Sequence, residues 1–188
     1  VSADGRPPAA GRLFLVVGPS GAGKDSLIAA ARERLDPSRF HFARRTITRP
    51  LDAGGEVHAE ATAEEFIALE TAGRFALSWR AHGLAYGIPR GIEAELAASR
   101  GVVANVSRAV IAEARRRFPG LRVLLVTAPT AVLAQRLAGR GRETPEAVAA
   151  RLERAGYAEP QGPDVVRIVN DGPLEAAVPR FLEALTAP

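Results

Sequence analysis

Arg12-Leu13-Phe14-Leu15-Val16-Val17, then Gly18-Pro19-Ser20-Gly21-Ala22-Gly23-Lys24, then Asp25-Ser26-Leu27-Ile28 is the stretch that decides the fold. The apolar run reads as a short buried strand, the glycine-rich run as a turn, and Leu27, Ile28, Ala31 and Leu35 as the apolar face of a helix. The turn fits the pattern G-x-x-x-x-G-K, and it lies where that pattern has a mechanism, between a strand and the start of a helix. Glycines let the backbone curl so that successive N–H groups point at phosphate oxygens; the helix N-terminus adds partial positive charge, and the lysine reaches the outer phosphates. Gly18 through Lys24, with Asp25 and Ser26, are therefore expected to hold the phosphates of a nucleotide.

Outward from this loop, apolar runs and helical spacings alternate. Strands are expected at 39–45, 75–79, 101–106, 121–127 and 165–169, and helices at 63–72, 89–99, 108–117, 130–139, 145–157 and 173–185. Runs such as LRVLLVT (121–127) are continuous rather than alternating, which suits strands covered by helices on both faces. The order implies an α/β fold, a mostly parallel sheet flanked by helices. With 188 residues, 47% of them hydrophobic, one core is expected, in a single domain over 12–188 behind a flexible tail at 1–11. Two polar stretches, 46–58 and 138–146, break the pattern, and long charged loops in a small domain tend to be functional or disordered.

Among 25 basic residues Lys24 is the only lysine, all the others being arginine. A chain that uses arginine everywhere else is expected to keep lysine where a compact ammonium is needed. Positive charge is also local: residues 1–99 are balanced, 100–154 carry +7 and 155–188 carry −3. The basic segment has one aromatic residue, Phe118, and no nucleic-acid module, so a small anionic ligand is expected and nucleic acid is not. Zero cysteine excludes disulfides and a cysteine nucleophile. The histidines at 41, 58 and 82 lack metal-ligand spacing, so no zinc site is expected. No apolar run is long enough for a membrane helix, and VSADGRPPAAG lacks the apolar block of a signal peptide, which predicts a soluble cytoplasmic protein with no membrane partner. The missing methionine at position 1 suggests a processed start or a GTG start codon.

GPSGAGKDS (18–26), RRTITRP (44–50), Glu56 and His58, ALSWRAHGLAYGI (76–88), NVSRAVI (105–111), GRGRET (139–144) and IVNDGPL (168–174) resemble, in the same order, the ribose 1,5-bisphosphate phosphokinases, relatives of the guanylate kinases. The likeness spans about residues 12–186; its strongest marks are GKDS in place of GKST and the block around Trp79 and Tyr86. It implies a P-loop NTPase fold with a substrate-binding region at about 40–90 and a lid at about 136–154. The implied reaction moves the γ-phosphoryl of ATP, with magnesium, onto the 1-phosphate of ribose 1,5-bisphosphate, giving 5-phosphoribosyl 1-diphosphate and ADP, often in phosphonate breakdown.

The roles that follow are expectations. Lys24 serves the transferring phosphate. Arg140 and Arg142, with Arg151, surround it from the lid, where Arg136, Arg140, Arg142, Arg151 and Arg154 fall within nineteen positions; closing arginines neutralise charge along the reaction line and exclude water. Arg49 clamps a substrate phosphate. Of Arg44 and Arg45, adjacent on an extended chain, at most one faces the site, and Arg45 is preferred. Tyr86 matches a phosphate-contacting tyrosine, Trp79 packs behind the pocket, Glu56 lies on the same loop as His58, and His58 bonds a sugar hydroxyl or a phosphate. Asn170 matches a position near adenine. The nucleophile is an ionised phosphate oxygen, so no general base is required.

Two departures stand out. After Lys24 the usual Ser or Thr is Asp25, which either contacts magnesium, directly or through water, or is a helix-start acid with the metal held elsewhere. Guanylate kinases read T-T-R-x-P-R and place a glutamate and an aspartate on guanine; here Ile47 precedes Thr48, Asp52 stands in place of the second arginine, Leu77 occupies the glutamate position, and VVANVSRAV offers no acid. A site that recognises guanine through those groups discriminates poorly without them. Guanylate kinase activity and an inert phosphoprotein-binding module of the same fold stand as alternatives.

Overall fold

In the computed structural model, residues 11–50, 58–138 and 158–187 are described. In chain order the elements are β1 (Leu13–Val17), α1 (Lys24–Arg34), β2 (Phe40–Phe42), β3 (Thr46–Ile47), β4 (Ala59–Glu60), α2 (Ala63–Thr71), β5 (Phe75–Ala81), β6 (Leu84–Pro89), α3 (Ile92–Ala97), β7 (Gly101–Asn105), a 3-10 turn (Arg108–Val110), α4 (Ile111–Arg117), β8 (Arg122–Thr127), α5 (Thr130–Ala138), β9 (Val165–Val169) and α6 (Leu174–Thr186).

The larger sheet has the order β2-β7-β1-β8-β9, and every pairing in it is parallel. All five residues of β1 are buried, as expected for a central strand with helices on both sides. Alternation of side chains sorts the core into two layers. Leu13, Leu15 and Val17 pack with Val102, Ala104, Val123, Leu125, Ile92 and Ile111. Phe14 and Val16 pack with Leu27, Ala31, Leu124, Phe181 and Leu185 on the α1 and α6 side. The chain leaves β1 toward the β7 side and later returns on the β8 side, so the loop after Val17 opens at the point where strand order reverses, the usual crevice for a ligand in such sheets.

Of the expected strand at 39–45 only 40–42 forms, as β2, and β3 falls at 46–47, inside the stretch expected to break the pattern. β2 stays in the large sheet, whereas β3 joins a second, four-stranded sheet of order β4-β3-β6-β5. Only β3 and β4 pair parallel; β3 with β6 and β5 with β6 run antiparallel. Neither β4 nor β6 was legible as a strand, because short alternating segments such as LAYGIP mimic loop composition. The signal for the hairpin is His82-Gly83: both residues have positive φ, 52° and 75°, the requirement of a two-residue type I′ turn that matches strand twist. Because β6 runs to Pro89, α3 begins at Ile92 rather than 89. Leu77, Trp79 and Ile88 pack into the same cluster as β1, which fixes the small sheet against the large one.

On the outer face of the small sheet, α2 starts with a capping box in which Thr62 accepts from the Glu65 N–H and Glu65 accepts from the Thr62 N–H, satisfying two otherwise unpaired donors. Phe66 stacks on Phe75 at 4.7 Å. Glu70 accepts two bonds from Arg80, at 3.0 and 2.6 Å, and one from the Ser78 hydroxyl at 2.6 Å; the guanidinium and hydroxyl bonds hold its carboxyl down at about 2.

Candidate active site

The glycine-rich loop is shaped by contacts that exclude side chains. Gly18 has φ of +152°, and a Cβ there would lie 2.1 Å from the Val126 carbonyl oxygen on β8; Gly23 has φ of +89°, and a Cβ there would lie 2.3 Å from Asn170 Nδ2. Both values belong to glycine. Asn170, 3% exposed at the end of β9, donates from Nδ2 to the Ala22 carbonyl at 2.8 Å, and its N–H donates to the Thr127 carbonyl at 2.8 Å. Its Oδ1 is buried without a hydrogen-bond partner among the described residues. Lys24, the first residue of α1, folds back so that Nζ donates to the Gly18 and Pro19 carbonyls at 2.8 and 3.0 Å. The ammonium thus lies against the loop itself, close to where phosphates of a bound nucleotide would sit.

Arg136 is placed by α5 against the same structure: Nη1 donates to the Asn170 carbonyl at 2.8 Å and Nη2 to the Gly172 carbonyl at 3.1 Å. It clamps the Asn170 turn, a role that its membership of an arginine-rich run did not reveal. Arg140, Arg142 and Arg151, together with Arg154, the expected helix at 145–157 and Glu56, lie outside the described residues.

Asp25 and Ser26 are exposed in the first turn of α1. Asp25 is not alone: Asn105, buried at the C-terminal end of β7, donates from Nδ2 to Asp25 Oδ1 at 2.6 Å. Among the described residues no group of three His, Cys, Asp or Glu gathers to hold a metal ion. A cation here would rest on the hard oxygens of one carboxylate, with phosphate and water completing its shell, which is how Mg²⁺ is bound where nucleotide is its main ligand. The donor chemistry fits that ion.

The residues expected on the acceptor side lie on and beside the small sheet. Ile47 and Tyr86 are directly paired across β3 and β6, and the Arg45 guanidinium lies 5.6 Å from the centroid of the Tyr86 ring, which stacks on Trp79 at 5.3 Å with 3° between planes. Arg45, Tyr86 and Trp79 thus form a layered cation–aromatic stack. Arg44 turns the other way, donating from Nη2 to the His58 carbonyl at 2.5 Å. His58, expected at a sugar hydroxyl or a phosphate, is 1% exposed, and its Nε2 bonds the Arg49 carbonyl at 2.8 Å. Since a carbonyl only accepts, Nε2 carries the proton. The imidazole ties the two ends of the 50–58 connection together beneath Arg49, whose Nε is buried without a hydrogen-bond partner among the described residues. Leu77 is 1% exposed within the core.

No protein-family model matches the chain. The guanylate kinase structure from Anaplasma phagocytophilum superposes with a TM-score of 0.69 over 95% of this chain and 88% of that one, at 18% identity, a likeness of fold. In sequence, a ribose 1,5-bisphosphate phosphokinase PhnN from Chromobacterium violaceum is 54% identical over 89% of this chain and 89% of that protein. The chain belongs to the ribose 1,5-bisphosphate phosphokinase family. A bifunctional ribose 1,5-bisphosphokinase-thymidine phosphorylase from Azorhizobium caulinodans is 48% identical over 94% of this chain, which spans 26% of that longer protein. Family members thus occur both as proteins of about this size and as one part of a fusion. Among the described residues no helix is long and apolar enough to cross a membrane.

Proposed function

We propose that this chain transfers the γ-phosphoryl group of ATP onto the 1-phosphate of ribose 1,5-bisphosphate, forming 5-phosphoribosyl 1-diphosphate and ADP. The observation that carries the choice of acceptor is that, among the described residues, the two positions that read guanine in guanylate kinases hold no acid. Where a guanylate kinase presents a glutamate stands Leu77, sealed in the core; where its aspartate would come from the strand beside β1 there is Asn105, already bonded to Asp25. Anion-binding groups remain, in Arg45, Arg49 and Tyr86, and a sugar bisphosphate requires those without a base pocket. Family membership at 54% identity supports the same reading.

The contacts of the described residues support a division of labour. Glycine-loop N–H groups and the N-terminus of α1 hold the donor phosphates. Lys24 exchanges its bonds to the Gly18 and Pro19 carbonyls for bonds to phosphate oxygens, and Asn170, whose Oδ1 has no partner among the described residues, is assigned to the adenine side. Asp25 would hold Mg²⁺, which when bound neutralises phosphate charge and orients the donor. Arg45 and Arg49, with Tyr86, hold the acceptor; His58 fixes the Arg49 backbone from beneath, a positioning role. Arg140, Arg142 and Arg151 are proposed to close over the transferring group, with Glu56 on the acceptor side. The acceptor is an ionised phosphate oxygen, so positioning and charge compensation suffice and no base is needed. A cytoplasmic, non-nucleic-acid setting accords with small anionic substrates.

An ADP-release assay with ribose 1,5-bisphosphate and GMP in parallel tests this. Turnover with the sugar bisphosphate and not with GMP is the expected result; turnover with GMP alone overturns it, and turnover with neither favours the inert binding module.

A further inference from the structure

We infer that Asn105 is a positioning residue for Asp25, and that the two form a matched pair in which the cation-side carboxylate has moved from a strand end to the first turn of a helix. The inference rests on the kinase reading above. In P-loop enzymes generally, magnesium is held by a Ser or Thr hydroxyl after the loop lysine and by a carboxylate on a nearby strand. Here the residue after Lys24 is the acid, and the strand beside β1 ends on an amide. Asn105 pairs in register with Val16, two residues before the loop begins, so its position relative to α1 is set by the sheet.

Each member of the pair makes sense only with the other. An amide Nδ2 at 2.6 Å from Asp25 Oδ1 donates to the carboxylate and fixes its rotation; a carboxylate at 105 would face a like charge at the same distance. Asn105 is 8% exposed, so its donor would be costly to leave unsatisfied. With Oδ1 held by the amide, Oδ2 is the oxygen left for a cation. Exchanging a hydroxyl and a carboxylate for a carboxylate and an amide leaves the formal charge of the pair unchanged, which limits repulsion of the nucleotide while retaining a hard oxygen ligand. Eighty residues separate the two positions, and nothing in local sequence links them.

Calorimetric titration of the intact chain with ADP, once with excess Mg²⁺ and once with EDTA, tests the pairing through the ratio of the two affinities. Asn105→Ala should lower the magnesium-dependent ratio by about tenfold or more, in line with loss of a group that orients a metal ligand. Asn105→Asp should lower it at least as far. Asp25→Ser combined with Asn105→Asp rebuilds the hydroxyl-plus-carboxylate arrangement and should recover part of the ratio lost in either single variant, a rescue that a purely structural role would not give. A wild-type ratio in both Asn105 variants overturns the pairing, as does a double variant no better than Asp25→Ser alone. Wild-type chain that binds no ADP in either buffer overturns the nucleotide reading together with the pairing, whereas wild-type binding with unmoved variant ratios removes the pairing and leaves the kinase reading standing.

Discussion

Asn170 occupies the space that a side chain at Gly23 would need: its Nδ2 would lie 2.3 Å from a Cβ at position 23 while donating to the neighbouring Ala22 carbonyl at 2.8 Å. The end of β9 and the last turn of the phosphate loop, 147 residues apart in sequence, are therefore fitted to each other. Gly23→Ala meets two penalties, the clash and a φ of +89°, and should destabilise the chain by about 1–3 kcal/mol. Asn170→Ala removes the clash and not the strain. The double variant should be less destabilised than the sum of the singles, by about 0.5–3 kcal/mol in urea unfolding; strict additivity would show that the contact does not exist in solution.

Lys24 offers a test of the loop's chemistry. Its ammonium donates to the Gly18 and Pro19 carbonyls of the loop itself. Lys24→Met is expected to lower kcat/KM by about 10²–10³, the scale of losing one donor to developing charge, with an almost unchanged melting temperature. Near-normal turnover would contradict the role given to it.

How much of this was legible beforehand varies with the range of the interaction responsible. The strand before the loop, the loop itself and β9 at 165–169 could be read locally, because continuous apolar runs and glycine spacing are properties of adjacent residues. β6 could not, since its pairing with β3 and β5 depends on partners far along the chain, although the His82-Gly83 turn was a local sign of it. Arg44 and Arg45 are indistinguishable by composition, and the contacts each makes, with the His58 carbonyl and the Tyr86 ring, separate them. The partners of Asp25 and Arg136 come from β7 and from the turn after β9, and no spacing rule points to either.

Trp79 is the sole tryptophan and stacks on Tyr86 beneath Arg45, which makes its fluorescence a reporter of the proposed acceptor side. Adding ribose 1,5-bisphosphate should change its emission saturably. Arg45→Ala should shift that titration to concentrations about tenfold higher, corresponding to about 1.4 kcal/mol, with a smaller effect on kcat than on KM. An unshifted titration would remove Arg45 from the acceptor site.

The Glu70–Arg80 pair predicts a pH dependence distant from the chemistry. Glu70 titrates at about 2 in the folded chain, against an ordinary value of 4.5. A depressed carboxyl stabilises the fold above the unfolded value and loses that contribution as pH falls toward the folded one. Both side chains are over a third exposed or close to it, 35% and 52%, so Glu70→Gln should cost only a few tenths to about 1 kcal/mol at neutral pH. The difference from wild type in urea unfolding should shrink as pH falls from about 4.5 toward 2; a difference that grows in acid would contradict the pairing.

In the proposed reaction the phosphoryl group lands on the sugar's 1-phosphate. Phosphorus NMR of a reaction containing ATP, Mg²⁺ and ribose 1,5-bisphosphate reads this directly. The expected result is loss of the single 1-phosphate resonance and growth of a coupled pair from a diphosphate at C1, with the 5-phosphate signal retained. An unchanged 1-phosphate signal alongside ADP formation, or conversion of GMP to GDP in its place, would contradict it.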